Sequence, residues 1–369
     1  MSRPISITID LDAIRHNFDY AQSLAKSSHT MAVIKADAYG HGAVATARAL
    51  GDKAKLLAVS SIEEAVILRQ NHIKTPILLL EGCFCSSELG VVDDLNLQIV
   101  LHNQQQIQDL LNASLSAPID VWLKVDTGMH RLGLTAHDSA QAYQQLLTSQ
   151  NVRSIMWMTH FATSDQPDAP FLEGQLEHFR TAMALVSNNV SDLSFSMANS
   201  AALMATPASH GAWNRPGIML YGISPFSQPN TLAEPLIPAM QFSSKVIALR
   251  SLAVGESVGY GATWVAQQPS IIATVAAGYG DGYPRNAKSG TPVLINGQIA
   301  PLAGRVSMDM LCVDVTHLSN IKVGALAELW GKELDVNQIA HWSDTVGYEL
   351  VTRMPTRAKR SFINERTVN

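Results

Sequence analysis

Short apolar runs recur along the first 225 residues, at 31–36, 56–60, 76–80, 97–101, 119–125, 155–159, 193–197 and 218–221. They are brief and rich in Val, Ile, Leu and Met, as suits strands buried on both faces. Between most of them lie segments whose apolar residues return at helical spacing: 62–69 behind Ser61, 104–111 behind Asn103, 139–147, and the longest at 171–185. Eight strands alternating with helices predict an α/β fold, a closed parallel (β/α)8 barrel of the TIM type. An open doubly wound sheet is the alternative, but no Gly-x-Gly-x-x-Gly follows the first strand. After about residue 232 the pattern changes. The segments 241–254, 271–277 and 308–315 read as strands, helical spacing fades, and 293–300 sets Asn296-Gly297 between two apolar arms, which suits a type I′ hairpin. The prolines at 235 and 238 mark the junction. The expected organisation is a barrel over 1–232 and a mainly β domain over 233–369.

At 369 residues the chain is too long for one ordinary core, which agrees with two domains. Hydrophobic residues make up 47% and charged residues 15%, so much surface must be hidden, inside the fold or in an oligomer. A net charge of -5 gives no electrostatic basis for binding nucleic acid or an anionic membrane. No stretch approaches the roughly 18 apolar residues of a spanning helix, and the start lacks a signal-peptide core, so a cytoplasmic protein is expected. Cys83, Cys85 and Cys312 suit reduced thiols, not a disulfide framework. Cys83-Phe84-Cys85 has no nearby His/Cys cluster to complete a metal site, and none is expected.

Polar residues close the apolar runs. Lys35 and Asp37 follow the first, Glu81 the third, and His102 with Asn103 the fourth. Lys124 and Asp126 end the fifth, His160 the sixth, and Asn199 with Ser200 the seventh. Active sites of such barrels lie at the strand C-termini, so these groups should converge. Lys35 is the most informative. A lysine at the end of a buried strand either reaches solvent past it or is desolvated toward the neutral amine that forms Schiff bases. Ser61 and Asn103 also read as helix caps, His160 as a packed histidine, and Lys124 with Asp126 as a buried ion pair.

Several motifs, in order, resemble those of one family. The run Val33-Ile34-Lys35-Ala36-Asp37-Ala38-Tyr39-Gly40-His41-Gly42 resembles the pyridoxal-phosphate lysine signature of alanine racemases. Lys124-Val125-Asp126-Thr127-Gly128-Met129-His130-Arg131, His160-Phe161-Ala162, Asn199-Ser200 and Arg215-Pro216-Gly217-Ile218 continue the match. Gly259-Tyr260-Gly261, Gly278-Tyr279-Gly280-Asp281-Gly282-Tyr283, Gly304-Arg305 through Met308-Asp309, and Tyr348-Glu349 complete it. The family combines a barrel with a β domain and is normally a homodimer with shared active sites.

The resemblance implies pyridoxal 5'-phosphate as cofactor and L-alanine and D-alanine as substrates. Lys35 would carry the cofactor and act as base on the D face; Tyr260, from the partner subunit, would serve the L face. By itself Tyr260 reads as a turn aromatic between glycines. A phenol ordinarily titrates near 10, so it needs a stabilised phenolate, for which Arg131, His160 and Arg215 are expected. Arg215 would face the cofactor's ring nitrogen and keep it unprotonated. Gly217 and Ile218 amides, with the hydroxyls of Tyr39, Ser200 and Tyr348, would hold the phosphate, and Asn199 lies beside them. Arg131 and the Met308 amide would bind the substrate carboxylate. Lys124 is a candidate for carbamylation. Asp309 would support the site, and Tyr279 with Tyr348 would narrow the entrance to alanine-sized side chains. His130 stands where many relatives carry glycine. The reaction would supply D-alanine, a peptidoglycan precursor, or degrade it. Competing classes are a barrel-plus-β amino-acid decarboxylase, a pyridoxal-phosphate carrier without turnover, and a cofactor-free Schiff-base aldolase. The β domain argues against the carrier, and Tyr260 with Tyr279 against the decarboxylase.

Overall fold

The computed structural model describes residues 3–166, 168–187 and 192–366. Seven parallel strands form one curled sheet, in the order Ala32–Val33, Leu57–Val59, Ile77–Leu79, Leu97–Leu101, Ile119–Lys124, Val152–Met158 and Phe195–Ser196. Most of their residues are buried, which is why they read as continuous apolar runs. The expected helices stand between them as Ile62–Gln70, Gln104–Leu111, Ala136–Leu147 and Pro170–Ala184. Asn103 caps its helix by accepting from the Gln106 N–H. Ser61 occupies the cap position without a side-chain bond; instead Glu64 reaches back to the Ser60 N–H at 2.8 Å.

The eighth run departs from expectation. Residues Ile218–Tyr221 form a buried 3-10 turn, not a strand. Pro216 has no N–H for a ladder, and apolar runs this short do not distinguish a strand from a buried turn. The gap is bridged earlier in the chain. Trp213–Asn214 pairs in parallel with His29–Thr30. The Arg215 N–H bonds Ala198 O at 2.9 Å, while Met31 N–H bonds Asn214 O and Val33 N–H bonds Pro216 O.

The β domain is organised by the long strand Met240–Leu252, which pairs antiparallel with Ser270–Val275 and Leu326–Trp330. Asn296 and Gly297, both at positive φ (48° and 79°), make the hairpin turn between Pro292–Ile295 and Gln298–Pro301, as a type I′ turn requires. Strand Ser6–Asp10 belongs to this sheet and not to the barrel. It lies between Met240–Leu252 (antiparallel) and Lys359–Ile363 (parallel), with Ile7 and Ile9 fully buried. Asp10 then caps the helix Leu11–Leu24, leading the chain into the barrel. Residues 1–2 and 367–369, the ends of the two expected domains, lie outside the described residues. Among the described residues no helix is long and apolar enough to cross a membrane, and no group of three or more His, Cys, Asp or Glu could hold a metal ion.

Candidate active site

Past Val33 the chain makes an uncommon turn. Ala36, Asp37, Ala38 and Tyr39 all take left-handed conformations, with φ between 51° and 54°. L-residues disfavour this by about 1–2 kcal/mol each. Such a turn persists only where its surroundings over-determine it. Here the Ala36 N–H donates to Glu64 Oε1 (2.5 Å), Ala43 N–H to Asp37 Oδ1 (2.7 Å), and Arg360 pairs with Asp37. The buried His41 ring sets Nδ1 at 3.1 Å from Ala38 O and 2.9 Å from Tyr39 O, and stacks on Tyr221 at 4.4 Å. Gly40 allows close contact with the β domain, since a Cβ there would lie 1.9 Å from Val351 O. The turn places Lys35 at the mouth of the sheet and tucks the Tyr39 ring between Tyr221 and Tyr348, at 5.2 and 6.0 Å.

A cavity of about 510 Å³ opens at these strand ends. Its lining brings together Lys35, Tyr39, Lys124, Arg131, His160, Asn199, Ser200, Arg215, Gly217, Ile218 and Tyr348. Lys124 is the buried last residue of its strand. The loop that follows is closed by Asp126 N–H to Leu134 O and Leu134 N–H to Lys124 O, and it carries Arg131 to the cavity. Asp126 does not pair with Lys124. Its carboxylate accepts from the Gly128 and His130 amides and contacts the His130 ring at 3.0 Å. His130 sits at φ 53°, a conformation in which glycine is at ease.

Arg215 is almost wholly buried. Its guanidinium donates to Ser196 Oγ (2.7 Å), Thr159 O (2.6 Å) and Met197 O (3.1 Å), and lies 3.4 Å from His160 Nδ1. Burial draws it down to about 9, which leaves it a cation at neutral pH. Burial, then the charges of Arg215, Lys124, Arg131 and Lys35, hold the His160 ring well below the usual histidine range, so it is neutral. Burial likewise draws Lys124 down to about 8, helped by Arg215, Arg131 and Lys35 and opposed by Glu81. Lys35 is lowered chiefly by burial, with Arg131 adding to the effect and Glu81 and Glu64 opposing it.

Four cationic side chains and one carboxylate, Glu81, thus line the cavity. Such a lining calls for a ligand with several negative charges. One corner suits a phosphate. Ser200 Oγ accepts from the Gly217 N–H (2.8 Å) and the Met219 N–H (3.4 Å), leaving its own proton to donate. The Gly217 amide is therefore engaged, whereas the Ile218 N–H makes no hydrogen bond among the described residues. A Cβ at 217 would stand 2.7 Å from Tyr39 Oη, so only glycine keeps this corner open. Asn199 serves as a helix cap, its Oδ1 accepting from Ala202 N–H and Ser164 Oγ.

Residues 9–225 match the family model for the alanine racemase N-terminal domain, and residues 239–362 that for its C-terminal domain. The chain belongs to the alanine racemase family. It is 69% identical to the alanine racemase of Pseudoalteromonas atlantica, over 99% of this chain and 100% of that protein. It superposes with a TM-score of 0.93 on the crystal structure of the biosynthetic alanine racemase of Pseudomonas aeruginosa, at 45% identity over 98% and 99% of the two chains. An alanine racemase of Bartonella henselae with covalently bound pyridoxal phosphate aligns with a TM-score of 0.88 at 27% identity, over 98% and 100%. The chain is thus an amino-acid racemase, an isomerase.

Of the strand-end polar residues expected to converge, Asp37, His102, Asn103 and Asp126 do not line the racemase cavity, and four of the residues the resemblance implied also stand outside it. Tyr260 is 69% exposed in the 3-10 turn Tyr260–Ala262, and Met308 is 52% exposed. Tyr279 is 40% exposed, and Asp309 pairs with Arg357. Sequence reasoning passed over other members of the cavity as site residues. Val33, Leu80, Leu132 and Met158 form apolar walls, which carry no chemical signal. Glu81, expected among the polar residues that close the apolar runs, does line the cavity. Glu64, which clamps the Lys35 turn, is betrayed in sequence only by its place three residues after Ser61.

Proposed function

We propose that the cavity holds pyridoxal 5'-phosphate on Lys35, and that L-alanine and D-alanine interconvert there between Lys35 and Tyr260 of a partner subunit in a homodimer. The observation that carries this reading is the separation of the two candidate bases. Lys35 lies in the cavity, while Tyr260 stands exposed on the β domain, unattached to the cavity of its own chain. A second copy would supply the missing phenol, and the low charge content leaves surface to be covered.

The lining fits such a cofactor. Lys35 is desolvated toward the nucleophilic amine, the cavity has the size of a small-molecule site, and the Ile218 N–H with the Tyr39, Ser200 and Tyr348 hydroxyls offers donors to a phosphate. When bound, this group withdraws electrons from the substrate's Cα and makes its proton removable. Lys35 Nζ, freed when the substrate's amino group takes its place, would take or return that proton on the D face, and the phenolic oxygen of Tyr260 would do so on the L face. Arg131, with the Met308 amide of the partner subunit, holds the substrate carboxylate. Arg215, a cation fixed by three oxygen acceptors, presents donors only and cannot protonate a ring nitrogen. The neutral His160 relays its position. Lys124, with a neutral fraction at physiological pH, can add carbon dioxide and become an anion beside Arg131 and Arg215. Tyr279 and Tyr348 restrict the side chain, an exclusion worth about 1–3 kcal/mol per methylene. In this reading the barrel of 1–232 carries the cofactor and the β domain of 233–369 completes the neighbouring site.

The test is exchange of the Cα proton of L- and D-alanine in deuterated water. Incorporation from both enantiomers, abolished by Lys35→Ala, is expected. Mixed Lys35→Ala and Tyr260→Phe subunits should regain activity in hybrid dimers. No recovery would refute the shared site.

A further inference from the structure

The carboxylate of Asp281 is fully buried in the β domain, beneath the exposed side chains of Tyr279 and Met308. Its Oδ2 accepts from the Gly278 N–H (2.9 Å) and from Arg3 Nη2 (2.6 Å). Its Oδ1 lies 3.1 Å from Arg357 Nε. Both arginines continue to the next loop. Arg3 also donates to the Asp309 carbonyl, and Arg357 pairs with the Asp309 carboxylate. The backbones of the two loops are zipped as well, with Tyr279 N–H to Ser307 O (3.0 Å) and Gly280 N–H to Met308 O (2.9 Å). The zipper is tight: a Cβ at Gly278 would stand 2.3 Å from Ser307 O. The Met308 N–H itself makes no hydrogen bond among the described residues.

We propose that Asp281 is a positioning residue for the racemase reaction, fixing the Met308 amide and the Tyr279 ring as one rigid unit through Arg3 and Arg357. The proposal rests on the reading above, in which these two groups meet substrate in the partner subunit. The physical need is plain. Half-exposed side chains such as Met308 and Tyr279 bury too little apolar area to hold two loops in place. A desolvated carboxylate between two guanidinium groups does so, because losing the carboxylate leaves two cations facing one another without their shared counter-charge. The arrangement joins segments near residues 3, 281, 309 and 357, which no local interaction would align.

The test compares Asp281→Asn with wild type as the intact holoenzyme. Asparagine keeps the volume and can still accept from the Gly278 N–H, but it loses the charge. The Michaelis constant for both alanine enantiomers should rise roughly tenfold, with kcat changed less than about threefold, the pattern of a lost ground-state contact. Binding of propionate, which is alanine without its amino group, should weaken in parallel when measured by calorimetry. Unchanged KM and propionate affinity in Asp281→Asn, with an active wild type, would overturn the proposal alone. A wild type that exchanges no alanine proton would overturn the functional reading and this proposal with it. A fall in kcat at constant KM would also refute the positioning role. Should Asp281→Asn fail to fold, Arg3→Ala decides: it leaves Asp281 paired with Arg357 and should raise KM roughly threefold, and no rise would refute the proposal.

Discussion

The left-handed turn after Lys35 yields a prediction whose sign runs against ordinary substitution behaviour. Ala36 is exposed, with φ and ψ both at 51°, and its backbone N–H is held by Glu64. Replacing it by glycine removes a methyl that is not part of the core and leaves the backbone bond in place. The penalty for an L-residue in this region, about 1–2 kcal/mol, disappears. Glycine's greater freedom in the unfolded chain offsets about 0.4–1 kcal/mol of that gain. The net effect is a stabilisation of roughly 1 kcal/mol, where Ala→Gly in a normal helix would destabilise by a similar amount. Ala36→Val should go the other way by roughly 1–3 kcal/mol, because a β-branched residue suits positive φ least. Equilibrium urea unfolding at fixed protein and cofactor concentration would measure both. With a slope of about 3 kcal/mol per molar, the glycine variant should shift the midpoint upward by about 0.3 M. A glycine variant less stable than wild type, or a valine variant equal to it, would refute the claim that this turn stores strain.

Two further outcomes are expected. His130→Gly should leave stability nearly unchanged, within about 1 kcal/mol, because relief at φ 53° offsets loss of an exposed ring contact to Asp126. Thermal melting would show this, and racemase activity should survive. Lys124 should impose a pH dependence. Its folded value near 8 lies below the unfolded value of about 10.4. Between these the unfolded chain binds more protons, so this group's contribution to stability is present above about 10.4 and is lost as pH falls through about 8. Unfolding in bicarbonate-free buffer should show stability rising across that window, and Lys124→Met should flatten the rise. An identical slope in the variant would show that Lys124 is not the group responsible.

The seven sheet strands were legible because burial of most of their residues leaves them predominantly apolar. The same rule misled at 218–221, where an equally apolar segment is a buried turn set up by Pro216 and Gly217. Lys35, Lys124, His160 and Arg215 stood out because each puts a costly polar group beside an apolar run. Three features were hidden for different reasons. The left-handed turn contains no glycine from Ala36 to Tyr39, and its causes are the distant Glu64 and Arg360 together with the local His41 ring. Asp281 sits among glycines and looks like turn chemistry, while its partners Arg3 and Arg357 lie far away in sequence. The alternation of Ile5, Ile7 and Ile9 shows a strand, yet nothing nearby says that its neighbours lie more than 230 residues on.

That opening strand has a consequence for how the molecule comes into being. It is the first regular element among the described residues, yet both of its hydrogen-bonding edges belong to segments synthesised much later, one of them among the last described residues. While the chain emerges, its fully buried isoleucines have no home, and the barrel can assemble around a tethered ribbon still waiting for its place. Separating the chain at the junction near residue 232 would orphan that ribbon on one fragment and open a slot in the sheet of the other. The two halves are therefore sewn together by their beginning as much as by the linker between them.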